Sequence, residues 1–365
     1  MIESSMYEKH LHFMQSVHSI DDISESSLIA QFDLLLSCLP NGGKLYKYRS
    51  LCGKSFSYAY DGLANGYMWI APVKTLNDDF DSVMISDAES EGKRFIDYIM
   101  QDYDKTLYTL VKQRGQQYWD NDEQLKQTSF ESFLKVFDPV SGKMDDGILI
   151  QVLRSSEHVT EQLNALRKML KCLTDDLHLF IDQHLKELFN ANIVSQERFR
   201  VFSMSESYDL GNMWGYYADS GRGFCIEYDY NRVKDLGPTA MRYLLNTYKV
   251  IYSETPKEIS PEFLAEAFFF SPDDSSLKEQ LERFILEKVL CKDKCWENEK
   301  EWRIVLGNTD CKMPVDIVSA IIIDERSLQK TNAQKLIRLC KKRGWQVKVR
   351  KNHLFNTSHS YDAHV

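Results

Sequence analysis

Two glutamates spaced two residues apart, Glu299 and Glu301, stand between Trp296 and Trp302 and run into Arg303 and the apolar segment Ile304-Val305-Leu306. Carboxylates so placed can stabilise a developing positive charge or take a proton from a nucleophile. If the segment is a strand, a period of two sets Glu299, Glu301 and Arg303 on one face and turns Trp302 and Ile304 toward a core. Acids held beside an arginine on a rigid, well-anchored strand keep a fixed geometry. The same pattern also describes a strand edge carrying an ion pair in solvent.

Other stretches carry residues of the same character. Lys44-Leu45-Tyr46-Lys47-Tyr48-Arg49 alternates and predicts a short strand, with Gly66 to Pro72 a second. The polar turn Leu76-Asn77-Asp78-Asp79-Phe80-Asp81 can cap a helix, or grip a ligand or cation. Arg200 to Ser205 predicts a strand bearing Ser203 and Ser205, and Met213 to Ala218 is read as extended in turn. Gly221-Arg222-Gly223 is a turn into the alternating strand that ends at Tyr228; it is too short for a phosphate loop. Cys291, Cys295 and Cys311 lack a CxxC pair and a neighbouring histidine, so no metal site is predicted.

Positioning these residues requires a frame. Residues 1–43 read as an N-terminal helical brace, with a helix over 23–39 that ends at Pro40-Asn41-Gly42-Gly43. Residues 44–88 and 199–365 predict an α+β core. It is interrupted by a helical insertion over 89–198, where Leu163, Leu166, Leu170, Leu173 and Leu177 form an apolar stripe. That insertion breaks near Asp138 to Gly147. Late in the chain, 248–252 is a strand, 258–292 mainly helical, 317–324 a buried strand, 327–342 a helix stopped by Gly344, and 345–350 a closing strand.

The 365 residues are 43% hydrophobic and 12% aromatic, enough to bury a sizeable core. A net charge of −9 argues against a broad nucleic-acid footprint, and the basic cluster Lys341 to Lys351 reads as a solvated face. Eight scattered cysteines fit reduced thiols in a cytoplasm. The opening residues lack the features of a secretory signal, and no apolar run approaches the length of a membrane span.

Taken in order, Leu45–Arg49, Asn77–Asp81, Phe202–Glu206, Met213–Ala218, Gly223–Glu227 and Trp296–Arg303 resemble a bacterial family catalogued as domain of unknown function 2971. That family usually has proline where this chain has Asp79, a departure that bears on the turn. The ordered set Arg49, Ser203-Met204-Ser205 and Glu299-Lys300-Glu301 also resembles the ADP-ribosyltransferase superfamily. This second resemblance implies a mixed, mainly antiparallel sheet and NAD as substrate. It also implies that Glu301 stabilises the positive charge formed as the nicotinamide–ribose bond breaks, with Glu299 orienting or activating the acceptor. Arg49 would hold the pyrophosphate or ribose, Ser203 and Ser205 would brace Glu301 and the ribose, and Trp214 or Tyr216 would stack on nicotinamide. Tyr48, Asn77 and Asp78 are further cofactor-binding candidates. The acceptor (protein, nucleic acid, small molecule or water) stays open. A toxin or antiphage role follows by the same resemblance, with a regulatory partner on the helical insertion. Two alternatives are a magnesium-dependent nuclease using Asp78, Asp81, Glu299 and Glu301, and a non-enzymatic sensor in which the acids are structural.

Overall fold

Val318–Asp324 is apolar and β-branched along most of its length, a composition that suits burial on both faces of a sheet, and six of its seven residues are buried. The computed structural model describes residues 7–10, 14, 23–76, 88–154, 159–175, 199–254, 260–271, 274–307, 310–351 and 361–363. Its strands are β1 (Lys44–Arg49), β2 (Met68–Trp69), β3 (Ala71–Pro72), β4 (Phe199–Ser205), β5 (Phe224–Asp229), β6 (Thr247–Lys249), β7 (Ile251–Ser253), β8 (Cys291–Asp293), β9 (Glu301–Gly307), β10 (Lys312–Met313), β11 (Val318–Asp324), β12 (Gln346–Arg350) and β13 (Tyr361–Ala363). Nine of them form one sheet in the order β13-β12-β11-β5-β1-β4-β9-β6, with β3 added on β4. All its pairs are antiparallel except β11 with β12. Those two are joined by the helix Thr331–Arg343, which stops at Gly344 in the left-handed conformation, φ 71°. The fold is thus mixed helix and mainly antiparallel sheet, as the sequence predicts.

One irregularity in this sheet matters for the site. β1 runs along β5 over six register positions and β4 along β9 over seven, yet β1 meets β4 only at Tyr46↔Ser205. Farther along, β3 takes the free edge of β4 at Ala71↔Val201. The sheet therefore forks between β1 and β4, leaving part of the β4 edge that faces away from β9 without a strand partner.

Period-two alternation sends Leu45, Phe202, Met204, Ile226, Tyr228, Trp302 and Ile304 into the main apolar core. The helix Glu25–Cys38 packs Leu28, Phe32 and Leu35 there, and its first turn is capped by Ser24 accepting from Ser27 N. The opposite face carries Tyr46, Tyr48, Cys225 and Ile322 against Trp214 and Ala218. Met213 to Ala218, read as extended from sequence, belongs to a helix, Gly211–Tyr217. The spacing explains the difference: a helical turn buries Trp214, which donates from Nε1 to Tyr208 O at 2.8 Å, and leaves Tyr216 70% exposed. A strand would have aimed Trp214 and Tyr216 the same way.

The described residues fall into two compact units. The sheet belongs to the unit drawn from Met1–Val83, Ser195–Lys257 and Ile285–Val365. The other unit, drawn from Met84–Val194 and Glu258–Phe284, is helical. Its core sets Trp119, Phe130 and Phe133 against Leu166, Met169 and Leu173, so the leucine stripe packs inward as far as it is described; Leu177 lies outside the described residues. The break near Asp138 is a turn in which that carboxylate accepts from Ser141 N at 2.7 Å. Among the described residues no helix is long and apolar enough to cross a membrane.

Candidate active site

The two glutamates converge by a route the alternating pattern does not give. Glu299 ends a 3₁₀ turn, Lys294–Glu299, whose start is capped by the Asp293 side chain accepting from Cys295 N at 2.7 Å. Lys300 then adopts the left-handed conformation, φ 47°, and returns the chain to β9 at Glu301. The expectation of a continuous strand through Glu299 is therefore corrected: the turn, and not strand parity, aims that side chain. Glu301, Arg303 and Val305 keep the predicted alternation, with Trp302 and Ile304 in the core behind them.

Lys292, on the short strand β8, joins the acids. Its Nζ lies 2.7 Å from Glu299 Oε2 and 2.9 Å from Glu301 Oε2. Arg303 donates from Nε to Glu301 Oε1 at 2.8 Å and from Nη1 to Val289 O at 2.6 Å. Tyr217 donates its hydroxyl to Glu299 Oε1 at 2.8 Å, and Ser205 Oγ donates to the Glu299 carbonyl at 2.7 Å. Tyr252 Oη accepts the Glu301 N–H at 2.8 Å. Burial alone would raise the Glu301 carboxyl, but Arg303, Lys292 and a hydrogen bond from Ser203 outweigh it and hold the group down to about 2. Burial likewise opposes charge on Lys292, and the two glutamates reverse that and raise it above the usual lysine range. Glu301 is thus held ionised, and both carboxylates are aimed at Lys292 Nζ.

They open onto a cavity of about 230 Å³ lined by Tyr46, Ser203, Tyr217, Trp296, Lys292 and Arg303 among others. A second cavity of about 850 Å³ adjoins it, and both are bordered by Lys47, Arg49, Trp69 and Thr75. The fork makes this possible. Lys47 donates to the Ser203 carbonyl on the open edge of β4, and its Nζ lies 4.1 Å from the centre of the Phe202 ring. Among the described residues the smaller cavity is lined by four basic side chains (Lys47, Arg49, Lys292, Arg303) and two carboxylates, a balance that favours an anion. Burial pushes both Lys47 and Arg49 below their usual ranges, and for Lys47 the neighbouring Arg49 adds to the effect.

Of the residues singled out from sequence, the structure gathers Glu299, Glu301, Arg49, Tyr48, Ser203 and Ser205 around the smaller cavity. Tyr48 is occupied structurally, donating to Ser207 O at 2.7 Å with its ring edge-on to Trp214. Trp214 is only 1% exposed and borders neither cavity; Tyr216 is exposed, borders neither, and meets Trp296 edge-on. Asn77 and Asp78 lie outside the described residues. Sequence reasoning passed over Lys292, Tyr217, Tyr252 and Lys47. The signal for Tyr217 was present: helical spacing would have put it, not Tyr216, toward the acids. Lys292 sits on a three-residue strand paired in parallel with β7, too short to show a pattern.

The segment 213–304 matches the model of a family described as Protein of unknown function (DUF2971). The match supports the resemblance to that family. It spans Tyr217, Tyr252, Lys292, Glu299, Glu301 and Arg303, which make up most of the acid cluster. No curated protein and no solved structure matches the chain.

Proposed function

We propose that the chain is an NAD-consuming enzyme of the ADP-ribosyltransferase type. The observation that carries this reading is Glu301: buried, held ionised and fixed at the wall of a cavity whose remaining charge is cationic. In the proposed reaction the bond between the ribose C1′ and the nicotinamide nitrogen breaks, and the electron pair leaves with nicotinamide. The positive charge left on the ribose is stabilised by Glu301, worth most in a water-poor site. The acceptor's lone pair forms the new bond to C1′, and its proton passes to Glu299. Arg49 and Lys47 attract the diphosphate by charge-assisted hydrogen bonds. Lys292 holds the two carboxylates in register until substrate replaces part of its contact.

An ADP-ribosyltransferase-like fold belongs to the same proposal, supported by the mainly antiparallel sheet and its fork. So does a role as a toxin or antiphage effector acting in the cytoplasm, with a regulatory partner on the helical unit. The nuclease alternative has less support, because Lys292 and Arg303 already match the charge of Glu299 and Glu301, while its other two acids, Asp78 and Asp81, lie outside the described residues. The test is NAD consumption by purified protein and by Glu301→Gln and Glu299→Gln, with circular dichroism as the folding control and with or without cell lysate as acceptor source. NAD loss abolished in folded Glu301→Gln upholds the reading. No loss by the wild type in any condition overturns it.

A further inference from the structure

The larger cavity lies on the other side of the sheet from the acid pair. Successive β1 residues point to opposite faces: Tyr46 and Tyr48 pack with Trp214, so Lys47 and Arg49 face the main-core side. There they border a chamber of about 850 Å³, well within the ~300–1,000 Å³ range of small-molecule sites. Its charged residues divide unequally. Asp61 is engaged by Tyr67 Oη and by Asn65 Nδ2 at 2.8 Å, and Asp316 by Arg343 at 3.5 Å. Among the described residues no carboxylate pairs with Arg49 or with Lys312. Two cations without a counter-ion among the described residues, with Lys47 also on the wall, favour an anion in the chamber.

Its walls are aromatic. Tyr228 and Phe202 come from the sheet, and Tyr67 and Trp69 from the rim. Lys312 lies opposite Trp69 in the β2–β10 ladder, with its Nζ 4.8 Å from the Tyr67 ring centre, so cation and rings stand side by side. Trp69 is 47% exposed, so its ring is accessible to an incoming planar group.

We propose that this chamber is a binding site for a nucleoside phosphate, with the phosphate at Arg49 and Lys312 and the base against the Tyr67 and Trp69 rings. The assignment stands on the charge and shape of the chamber and does not require the transferase reading. Two sources share the chemistry: one end of a dinucleotide whose other end passes the fork to the acid pair, or a separate mononucleotide.

Isothermal titration of the full chain with ADP, adenosine, inorganic phosphate and NAD tests it, alongside Arg49→Gln, Lys312→Gln and Trp69→Ala with matched folding controls. ADP is expected to bind at one site, at least tenfold tighter than adenosine or phosphate alone. Arg49→Gln should weaken ADP about tenfold and leave adenosine unchanged, whereas Trp69→Ala should weaken both. NAD displacing ADP upholds the site as part of a dinucleotide site, and NAD binding beside ADP upholds it as a separate one. The proposal is overturned if ADP fails to bind, if phosphate alone binds as tightly as ADP, or if Arg49→Gln changes nothing. Glu301→Gln should retain ADP binding in every case, so failure of the transferase reading leaves this result separately readable.

Discussion

Arg303 follows Glu301 by two residues on β9 and turns its guanidinium back onto the carboxylate, Nε to Oε1 at 2.8 Å. With Lys292 it depresses the Glu301 carboxyl from an ordinary 4.5 to about 2. A carboxylate depressed in the folded state adds stability above its unfolded value and loses it as pH falls toward the folded one. The contribution is therefore complete above about 4.5 and fades between there and about 2, amounting to roughly 3 kcal/mol. Urea midpoints recorded from pH 7 down to pH 3 should fall for the wild type, and Glu301→Gln should show a flatter dependence. Parallel curves would mean that this carboxylate is not the group linked to folding.

Lys292 invites the complementary experiment. Replacing it with methionine removes the one ammonium shared by Glu299 and Glu301 and leaves two buried acids facing each other. Breaking a buried ion cluster by deleting one partner costs about 3–5 kcal/mol. With the cation gone, the glutamates resist ionisation and a proton is held at higher pH than in the wild type. The stability gap between Lys292→Met and wild type should accordingly be largest at pH 7 and narrow by pH 4. A constant gap would assign the loss to packing.

How far the sequence shows all this depends on which physical signal placed each residue. Alternation placed Glu301, Arg303 and Trp302 correctly, because β9 is a regular strand with one buried apolar row. It failed at Glu299, where the capped 3₁₀ turn and the left-handed Lys300 substitute a local geometry that leaves no two-residue period. Parity failed again at Met213 to Ala218, since aromatic residues at short spacing suit either a strand or one helical turn, and packing of Trp214 decides between them. The fork between β1 and β4 has no sequence signature, because it depends on which strand β3 pairs with. The arrival of Lys47 at the cavity of the acid pair could not be read in advance for that reason, and Arg49 was set there by the resemblance and not by any pattern in its strand.

Tyr217 is the helix residue whose hydroxyl reaches Glu299 Oε1, at 2.8 Å. Hydrogen bonds to charged groups contribute about 1.5–3 kcal/mol, so Tyr217→Phe should lower stability by that order while keeping the ring's packing. Tyr216→Phe, at an exposed position, should change stability by less than about 0.5 kcal/mol. Chemical denaturation of the two variants side by side separates them, and equal losses would place the wrong tyrosine at the acid pair.

Gly223 sets the position of Arg49 from the neighbouring strand. A methyl group there would stand 2.7 Å from Ala218 Cα and closer still to the Arg49 carbonyl oxygen, both backbone atoms that yield only if β1 and β5 shift. Its N–H also donates to Ala218 O at 2.7 Å, so the turn cannot open without losing that bond. Gly223→Ala should cost about 1–3 kcal/mol through overpacking. The displaced strand carries Arg49 with it, so ADP binding should weaken as well. Gly211→Ala is the control: nothing stands within 4 Å of its added methyl, and relief of unfolded-chain entropy should make it neutral or stabilising by up to about 1 kcal/mol. Thermal denaturation together with ADP titration of both variants reads the two effects. Unchanged stability and unchanged ADP affinity in Gly223→Ala would show that the turn leading into β5 accommodates a side chain and that Arg49 is placed by other contacts.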